Sequence, residues 1–232
     1  MAYAMTDQIL TLIRREHDAT IGLRHIGVLV PWANTVVESE LPRLGLTHIV
    51  WHYARLVPDN QGTALDDSFL QGLVRAVPGA LGQLSRLPLA AVLLACTSVG
   101  FSYPLDVRVV SAFDALLAGL RRLGARRVLL LTPYPDHLAE REAKALEAQG
   151  QTVVGHASLG CDDGFAEVTS DQILGLLGRF TRAALADADA LVLSCTAWPT
   201  LDVVEALEAR TDRPVISSNL ALALAAMSQA VA

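Results

Sequence analysis

Two matching stretches decide the fold: Val92-Leu93-Leu94-Ala95-Cys96-Thr97 and Leu191-Val192-Leu193-Ser194-Cys195-Thr196. Each is an apolar run that ends in a Cys-Thr step. Runs that are apolar throughout, rather than alternating, are typical of strands buried on both faces of a parallel sheet. The Cys-Thr step then lies at the carboxyl end of its strand, which is where α/β proteins bind their ligands.

Strands and helices alternate along the rest of the chain. The apolar runs predict strands over Ile26–Val30, Ala91–Ala95, Val107–Val110, Val128–Leu131, Ala190–Leu193 and Pro214–Ile216, and Thr47–Leu56 also has an extended pattern. Longer helical patterns predict helices over Thr35–Leu44, Asp66–Leu84, Ser111–Leu123, Asp136–Gln149, Ser170–Ala186, Thr200–Ala209 and Ser218–Val231. This alternation predicts an α/β fold with parallel sheets and right-handed crossovers.

The two halves of the chain repeat one plan. Val28–Pro31 matches Leu129–Pro133, and Val109–Ser111 matches Val215–Ser217, in the same order as the Cys-Thr steps. Apolar strands of α/β proteins resemble one another, but the paired Cys-Thr steps favour a true duplication. We therefore expect two pseudo-twofold-related subdomains with the active site in the cleft between them. The predicted parts are an N-terminal extension or leading helix (1–20), a first subdomain (21–111), a second subdomain (112–217), and a C-terminal helix that packs back on the first subdomain (218–232).

The composition excludes several classes of function. Apolar residues make up 52% of the chain, charged residues 18%, and the net charge is -6 with scattered basic residues. A disordered chain and a nucleic-acid-binding surface are therefore not expected. No apolar run is long enough to cross a bilayer, and Met1–Thr20 lacks the apolar core of a secretory signal. Three cysteines do not make a disulfide scaffold, so we expect free thiols in the cytoplasm.

Cys96 and Cys195 are the candidate catalytic pair. A free cysteine alone is as often a small buried hydrophobe as a reactive group, but two at matching strand ends favour chemistry. Exposed backbone N–H groups beyond each strand are expected to lower the pKa of the thiol. Together with the hydroxyls of Thr97, Ser98 and Thr196, the same N–H groups can bind a carboxylate or a developing oxyanion.

The other polar residues near the predicted cleft have two interpretations each. Asn34 either caps a helix or binds substrate, and Tyr134 either packs between two prolines or binds substrate. Cys161 has no symmetric partner and is expected to be an ordinary loop residue. His48 and His52 lie in an extended segment and would not share a helical face, so no metal site is predicted. The chain has no Cys-x-x-Cys motif, phosphate-binding loop or dinucleotide glycine pattern, so no cofactor is expected.

Four ordered motifs resemble a known family. Val28–Glu38, Ala95-Cys96-Thr97-Ser98, Thr132-Pro133-Tyr134 and Ser194-Cys195-Thr196 are similar to the maleate cis–trans isomerase and arylmalonate decarboxylase family of the aspartate/glutamate racemase superfamily. The resemblance runs from about Ile26 to Met227. It implies two Rossmann-like subdomains with the active site between them and no cofactor. We expect a small mono- or dicarboxylate as the substrate, with homo-oligomerisation as one alternative.

The resemblance also implies roles for individual residues. Cys96 would be the nucleophile or first base, and Cys195 the partner acid or base. Asn34 and Tyr134 would hold a substrate carboxylate, and Thr97, Ser98 and Thr196 fall where the family presents hydroxyl and backbone donors. One position departs from the family. Isomerases are expected to have a further Asn in the loop where this chain has Cys161-Asp162-Asp163-Gly164. An ionised Asp163 would repel a dicarboxylate, so either its carboxylate points away or the substrate differs from maleate.

Three reactions are consistent with this sequence. In the leading hypothesis, maleate-type cis–trans isomerisation, the Cys96 thiolate adds to the double bond and is expelled after rotation. In the second, racemisation or epimerisation of a 2-substituted acid, two thiols exchange a proton on opposite faces of the substrate. An arylmalonate-type decarboxylase is a third, which Cys96 disfavours because such members are expected to use one cysteine at the second position. A small-acid-binding module without catalysis is the non-enzyme alternative.

Overall fold

Eight parallel strands form two separate sheets in the computed structural model, which describes residues 8–19, 21–59 and 65–228. The first sheet contains β1 (Arg24–Pro31), β2 (Ile49–Leu56), β3 (Leu89–Leu94) and β4 (Val109–Ser111). The second contains β5 (Arg127–Thr132), β6 (Thr152–Ser158), β7 (Ala190–Leu193) and β8 (Val215–Ser217). The strand orders, β2-β1-β3-β4 and β6-β5-β7-β8, are the same order repeated. The predicted fold class of two similar parallel α/β halves is therefore confirmed.

Ten α-helices connect and cover the strands in the described part of the chain. They are α1 (Gln8–Ala19), α2 (Val36–Arg43), α3 (Asp67–Leu84), α4 (Thr97–Ser102), α5 (Ala112–Leu123), α6 (Asp136–Ala148), α7 (Ser170–Gly175), α8 (Arg182–Asp187), α9 (Val204–Thr211) and α10 (Ser218–Met227). No described helix combines the length and the apolar character needed to cross a membrane.

Three predicted elements differ from the structure. The helix predicted over Ser170–Ala186 is instead α7, a 3₁₀ turn over Leu176–Arg179 and α8, because Gly175 and Gly178 weaken the helix and Thr181 caps a new one. The strand predicted over Val107–Val110 begins only at Val109. Val107 is 98% exposed in a turn before it. A 3₁₀ turn over Leu201–Val203 precedes α9, so that helix begins later than predicted.

One hydrophobic core extends through both halves. It includes Val28 on β1, Leu130 on β5 and Leu222 on α10, all of them buried. Helix α10 contacts α5, α1 and α2. Ile9 and Ile13 of α1 belong to the same core. Residues 1–7, 20 and 229–232 of the predicted terminal parts lie outside the described residues.

The buried carboxylate of Glu40 joins α2 to the second half of the chain. It accepts hydrogen bonds from Thr200 N at 2.6 Å, Leu201 N at 2.7 Å and Asn219 Nδ2 at 2.7 Å. Glu40 is only 3% exposed, so these donors could not bond to water if the carboxylate were absent. The contact fixes the loop after Cys195 and the start of α10 against the first half.

We expect Glu40→Ala to lower the free energy of unfolding by about 2–4 kcal/mol, because it leaves several buried donors without an acceptor. Glu38→Ala is the matched control on the same helix. Glu38 pairs with Arg55 at a half-buried position, so its loss should cost about 0–1 kcal/mol. Urea unfolding of both variants measures the difference, and equal losses would contradict this role for Glu40.

Candidate active site

A single cavity of about 410 Å³ lies between the carboxyl edges of the two sheets. Cys96 follows β3 and Cys195 follows β7, so both thiols reach it from equivalent strand ends. All eight residues predicted for the site line this cavity: Asn34, Cys96, Thr97, Ser98, Tyr134, Asp163, Cys195 and Thr196. The cavity also has an apolar wall, formed largely by Trp32, Leu65, Phe69 and Phe165.

Cys96 occupies the N-cap position of α4, although its side chain makes no capping hydrogen bond. Ser98 Oγ lies 3.4 Å from Sγ, and this hydroxyl and the backbone N–H groups of Ser98 and Val99 act to lower the pKa of the thiol. The backbone of Cys96 is extended, with φ -150°. These donors favour the thiolate relative to the thiol.

Cys195 occupies the equivalent position but has a strained backbone. Its φ is 132°, a region that residues other than glycine rarely adopt. Its N–H donates to Ser218 Oγ at 3.1 Å, and Ala197 N donates to Cys195 Sγ at 3.3 Å. The Tyr134 hydroxyl also hydrogen-bonds to this sulfur. The contacts hold the thiol in the cavity despite the strain.

The expected lowering of the cysteine pKa values is wrong. Burial raises the pKa of Cys96, although the Ser98 hydroxyl and backbone N–H groups oppose the shift. Burial also raises the pKa of Cys195 to about 12, although the Ala197 N–H and the Tyr134 hydroxyl oppose the shift. The free-energy cost of removing a thiolate from water exceeds the stabilisation that these hydrogen-bond donors provide. Burial therefore favours the neutral thiol at both cysteines at pH 7.

Asn34 caps a helix and leaves one side-chain donor on the cavity. Its Oδ1 accepts from Val36 N at 3.0 Å and Val37 N at 3.3 Å, which caps the start of α2. Its Nδ2 donates to Thr196 Oγ1 at 3.0 Å. Because an amide nitrogen carries two hydrogens, one N–H remains for a ligand. Thr196 Oγ1 in turn donates to Ala95 O at 2.7 Å, so its own hydrogen is already used.

Thr97 reaches across the cleft from the other side. Its Oγ1 lies 2.9 Å from Ser218 Oγ, the same oxygen that accepts from Cys195 N. The hydroxyl beside one cysteine thus supports the backbone of the other. Tyr134 is only 1% exposed, and its ring stands edge-on to Phe165 with centroids 6.0 Å apart. Burial, with the charges of Cys195 and Glu142 adding to it, raises the pKa of Tyr134 well above its usual value.

The sequence interpretation missed three supporting residues. Ser218 and Asn219 follow β8 at its carboxyl end, so the strand-end rule that selected the cysteines could have selected them too. Glu142 lies on the apolar face of α6 with Leu138 and Leu146, where a carboxyl group is out of pattern. It is fully buried behind the site, where Ser194 Oγ donates to its Oε1. Burial raises the pKa of Glu142 to about 8.

The remaining candidates lie away from the cavity. Cys161 is partly buried and does not line it. His52 lies on β2 as expected and stacks on His25, with His25 Nδ1 2.8 Å from His52 Nε2. Within the described ranges, no group of three or more His, Cys, Asp or Glu side chains is arranged to hold a metal ion.

The repeated halves and the facing thiols define a class of α/β enzyme that works with two cysteines in a cleft between subdomains. A sequence model described as arylmalonate decarboxylase matches residues 104–232. The maleate isomerase of Nocardia farcinica is 32% identical over 232 residues, covering 87% of this chain and 88% of that protein. The chain therefore belongs to the family of arylmalonate decarboxylases and maleate isomerases.

Solved structures agree with this assignment. The Nocardia farcinica maleate cis–trans isomerase, as a cysteine-to-serine mutant with a covalently bound succinylcysteine intermediate, matches with a TM-score of 0.77 and 26% identity. The match covers 87% of this chain and 90% of that one. A crystal structure of arylmalonate decarboxylase matches with a TM-score of 0.67 and 26% identity, covering 85% and 88% of the two chains.

The strain at Cys195 predicts an unusual stability order. Cys195→Gly should be more stable than Cys195→Ala by about 1 kcal/mol, because relief of a positive φ outweighs the entropic cost of glycine. Both variants lack the thiol, so the comparison isolates the backbone. Urea unfolding measures it. A more stable alanine variant would show that Cys195 relaxes without cost.

Glu142 predicts a pH dependence of stability. Its pKa of about 8 in the folded chain exceeds the usual 4.5, so folding retains a proton that the unfolded chain releases. Stability should fall as pH rises from about 4.5 to 8, by up to about 1.4 kcal/mol per pH unit from this group. Glu142→Gln keeps an acceptor for Ser194 and should flatten the profile between pH 5.5 and 7.5. Parallel profiles for both proteins would mean that Glu142 is ionised when buried.

Proposed function

We propose that this protein is a cofactor-independent cis–trans isomerase of a small unsaturated carboxylic acid. The observation that carries the proposal is the pair of buried thiols, Cys96 and Cys195, on one cavity at equivalent strand ends. The family relationship supports it, since a maleate isomerase is similar over most of both chains. The free state of all three cysteines also supports a reducing compartment, and we place the enzyme in the cytoplasm.

The two thiols have different surroundings, which supports different roles. Cys96 stands at the start of α4, where the Ser98 hydroxyl, 3.4 Å from its sulfur, and nearby backbone N–H groups oppose the effect of burial on its pKa, so it is the better site for a thiolate. Cys195 begins no helix, and the nearby Cys96 and Glu142 disfavour its negative charge. Cys195 therefore retains its proton and serves as the acid.

The reaction proceeds by addition and elimination. Cys96 first releases its proton to solvent, and it takes a proton back from solvent after the product has left. The Cys96 thiolate forms a bond to one alkene carbon, and the π electrons move to the other carbon, where the adjacent carboxylate delocalises them. Cys195 delivers a proton to that carbon, which gives a saturated adduct on Cys96. Rotation about the new single bond follows. Cys195 then recovers the proton, the alkene re-forms in the trans configuration, and the C–S bond breaks.

The polar residues that line the cavity supply the substrate contacts. The unused N–H of Asn34 and the backbone donors at the start of α4 are placed to bind the carboxylate. These donors strengthen their hydrogen bonds as negative charge grows on the carboxylate during addition, so they favour the transition state over the ground state. No step requires an oxidant, a metal or a nucleotide.

A trapped adduct tests the mechanism. We expect Cys195→Ser to accumulate a covalent species when mixed with maleate, because serine is a much weaker acid than cysteine and slows the proton steps. Intact-protein mass spectrometry after rapid quenching should show the protein plus the full mass of the substrate, and peptide mapping should place it on Cys96. Cys96→Ala and Cys195→Ala should each lose turnover.

Cys161→Ala is the matched control, since Cys161 does not line the cavity. It should keep the wild-type rate and the wild-type folding signal. Absence of any adduct, together with exchange of the α-hydrogen of a saturated chiral acid for solvent deuterium, would reject the isomerase and favour proton transfer between two thiols. That alternative is supported by the equivalent positions of the thiols in the repeated fold.

A further inference from the structure

The cavity is lined by both polar donors and apolar side chains. The donors lie near the cysteines and include Asn34, Ser98 and Tyr134. The wall contains Phe69 and Phe165, and Phe165 packs edge-on against Tyr134, the tyrosine that hydrogen-bonds to Cys195. A substrate bound with its carboxylate on the donors would therefore place its other end beside aromatic and aliphatic groups.

No positive charge is available for a second carboxylate. The chain has 18 Lys and Arg residues and 6 His residues, and every one of them lies within the described ranges. None of them lines the cavity. A dicarboxylate would have to bind both of its charges with neutral donors, although charged partners are what usually offset the cost of removing a second anion from water.

The same cavity contains two acidic side chains. Asp163 precedes the 3₁₀ turn Phe165–Glu167, and Glu167 ends it. Gly164, at φ +67°, is the N-cap of this turn, and the Glu167 carboxylate lies over it, since a Cβ at Gly164 would be 3.3 Å from Glu167 Oε2. One segment thus places an aromatic ring and two solvent-exposed acidic residues on the lining of the cavity. Negative charge at the cavity lowers the rate at which a dianion enters and its affinity once inside.

We propose that the substrate is a cis-configured unsaturated acid with one carboxylate and an uncharged, apolar carbonyl group on the other alkene carbon. This inference rests on the proposed isomerase function and narrows its substrate class. The addition–elimination chemistry is unchanged. The π electrons move toward the carbonyl or the carboxylate when sulfur adds, and they return when sulfur leaves, so no further reactant is needed. The volume of about 410 Å³ accommodates a group larger than a second carboxylate.

The experiment compares maleate with (Z)-4-oxo-4-phenylbut-2-enoate, in which a neutral aryl ketone replaces one carboxylate. Proton NMR distinguishes the cis and trans alkenes and gives kcat/KM for each. We expect the wild-type enzyme to favour the aryl ketone by tenfold or more. Phe165→Ala should reduce kcat/KM for the aryl ketone about tenfold.

A second set of variants tests whether the acidic residues of the cavity disfavour a dicarboxylate. Asp163→Asn combined with Glu167→Gln should raise kcat/KM for maleate about tenfold and reduce its dependence on ionic strength. Glu147→Gln combined with Asp171→Asn is the control, because it makes the same change in net charge at exposed positions away from the cavity. That control should leave the maleate rate unchanged.

The outcomes separate the two proposals. Equal rates on both compounds, or a preference of the wild-type enzyme for maleate, would overturn the substrate assignment and leave the isomerase in place. An equal gain on maleate in the control variant would show that net charge, not the cavity, sets the rate. That result would remove the case against a dicarboxylate. If neither compound is isomerised, the proposed function fails and this inference fails with it.

Discussion

The hydroxyl of Thr196 holds the two halves of the site together. Thr196 follows Cys195, yet its Oγ1 donates to Ala95 O, the carbonyl that precedes Cys96, and accepts from Asn34 Nδ2. A hydroxyl offers one hydrogen and two lone pairs, so these two bonds fix its direction. Both thiols take their positions from this contact, because each is one residue away from an atom in it. The Thr97–Ser218 bond repeats the linkage on the other side.

Burial determines the protonation state of the groups in and beside the site. The site excludes water, which makes any charge costly and raises the pKa values of Cys195 and Glu142 together. The same exclusion strengthens each hydrogen bond to an anion that does form. Burial therefore favours the neutral form of both thiols. A reactive thiolate exposed to solvent would be open to oxidation, and this arrangement avoids that exposure.

The sequence predicted most of the strands and the position of the two cysteines from local rules: apolar runs mark buried strands, and ligands bind at strand ends. Strand β6 was not among the predicted strands, and Asp163 was selected by the family resemblance. Features that depend on contacts between distant residues could not be predicted. The N–H of Cys195, the residue with the positive φ, bonds to Ser218 Oγ, 23 residues along the chain. The raised thiol pKa values depend on how completely the halves close over the cleft. Gly175 and Gly178 indicate the break between α7 and α8, because glycine weakens a helix. The helical spacing of the apolar residues in this segment nevertheless favoured one continuous helix.

The position of α10 has a consequence for how the protein is made. This last helix supplies Ser218 and Asn219 to the site and packs against α1, the first described helix. Ribosomes add about 5–20 residues per second and release the amino end first. Part of the core of the first half therefore stays uncovered until α10 has emerged. Until then the nascent chain carries both thiols without the contacts that α10 makes at the site.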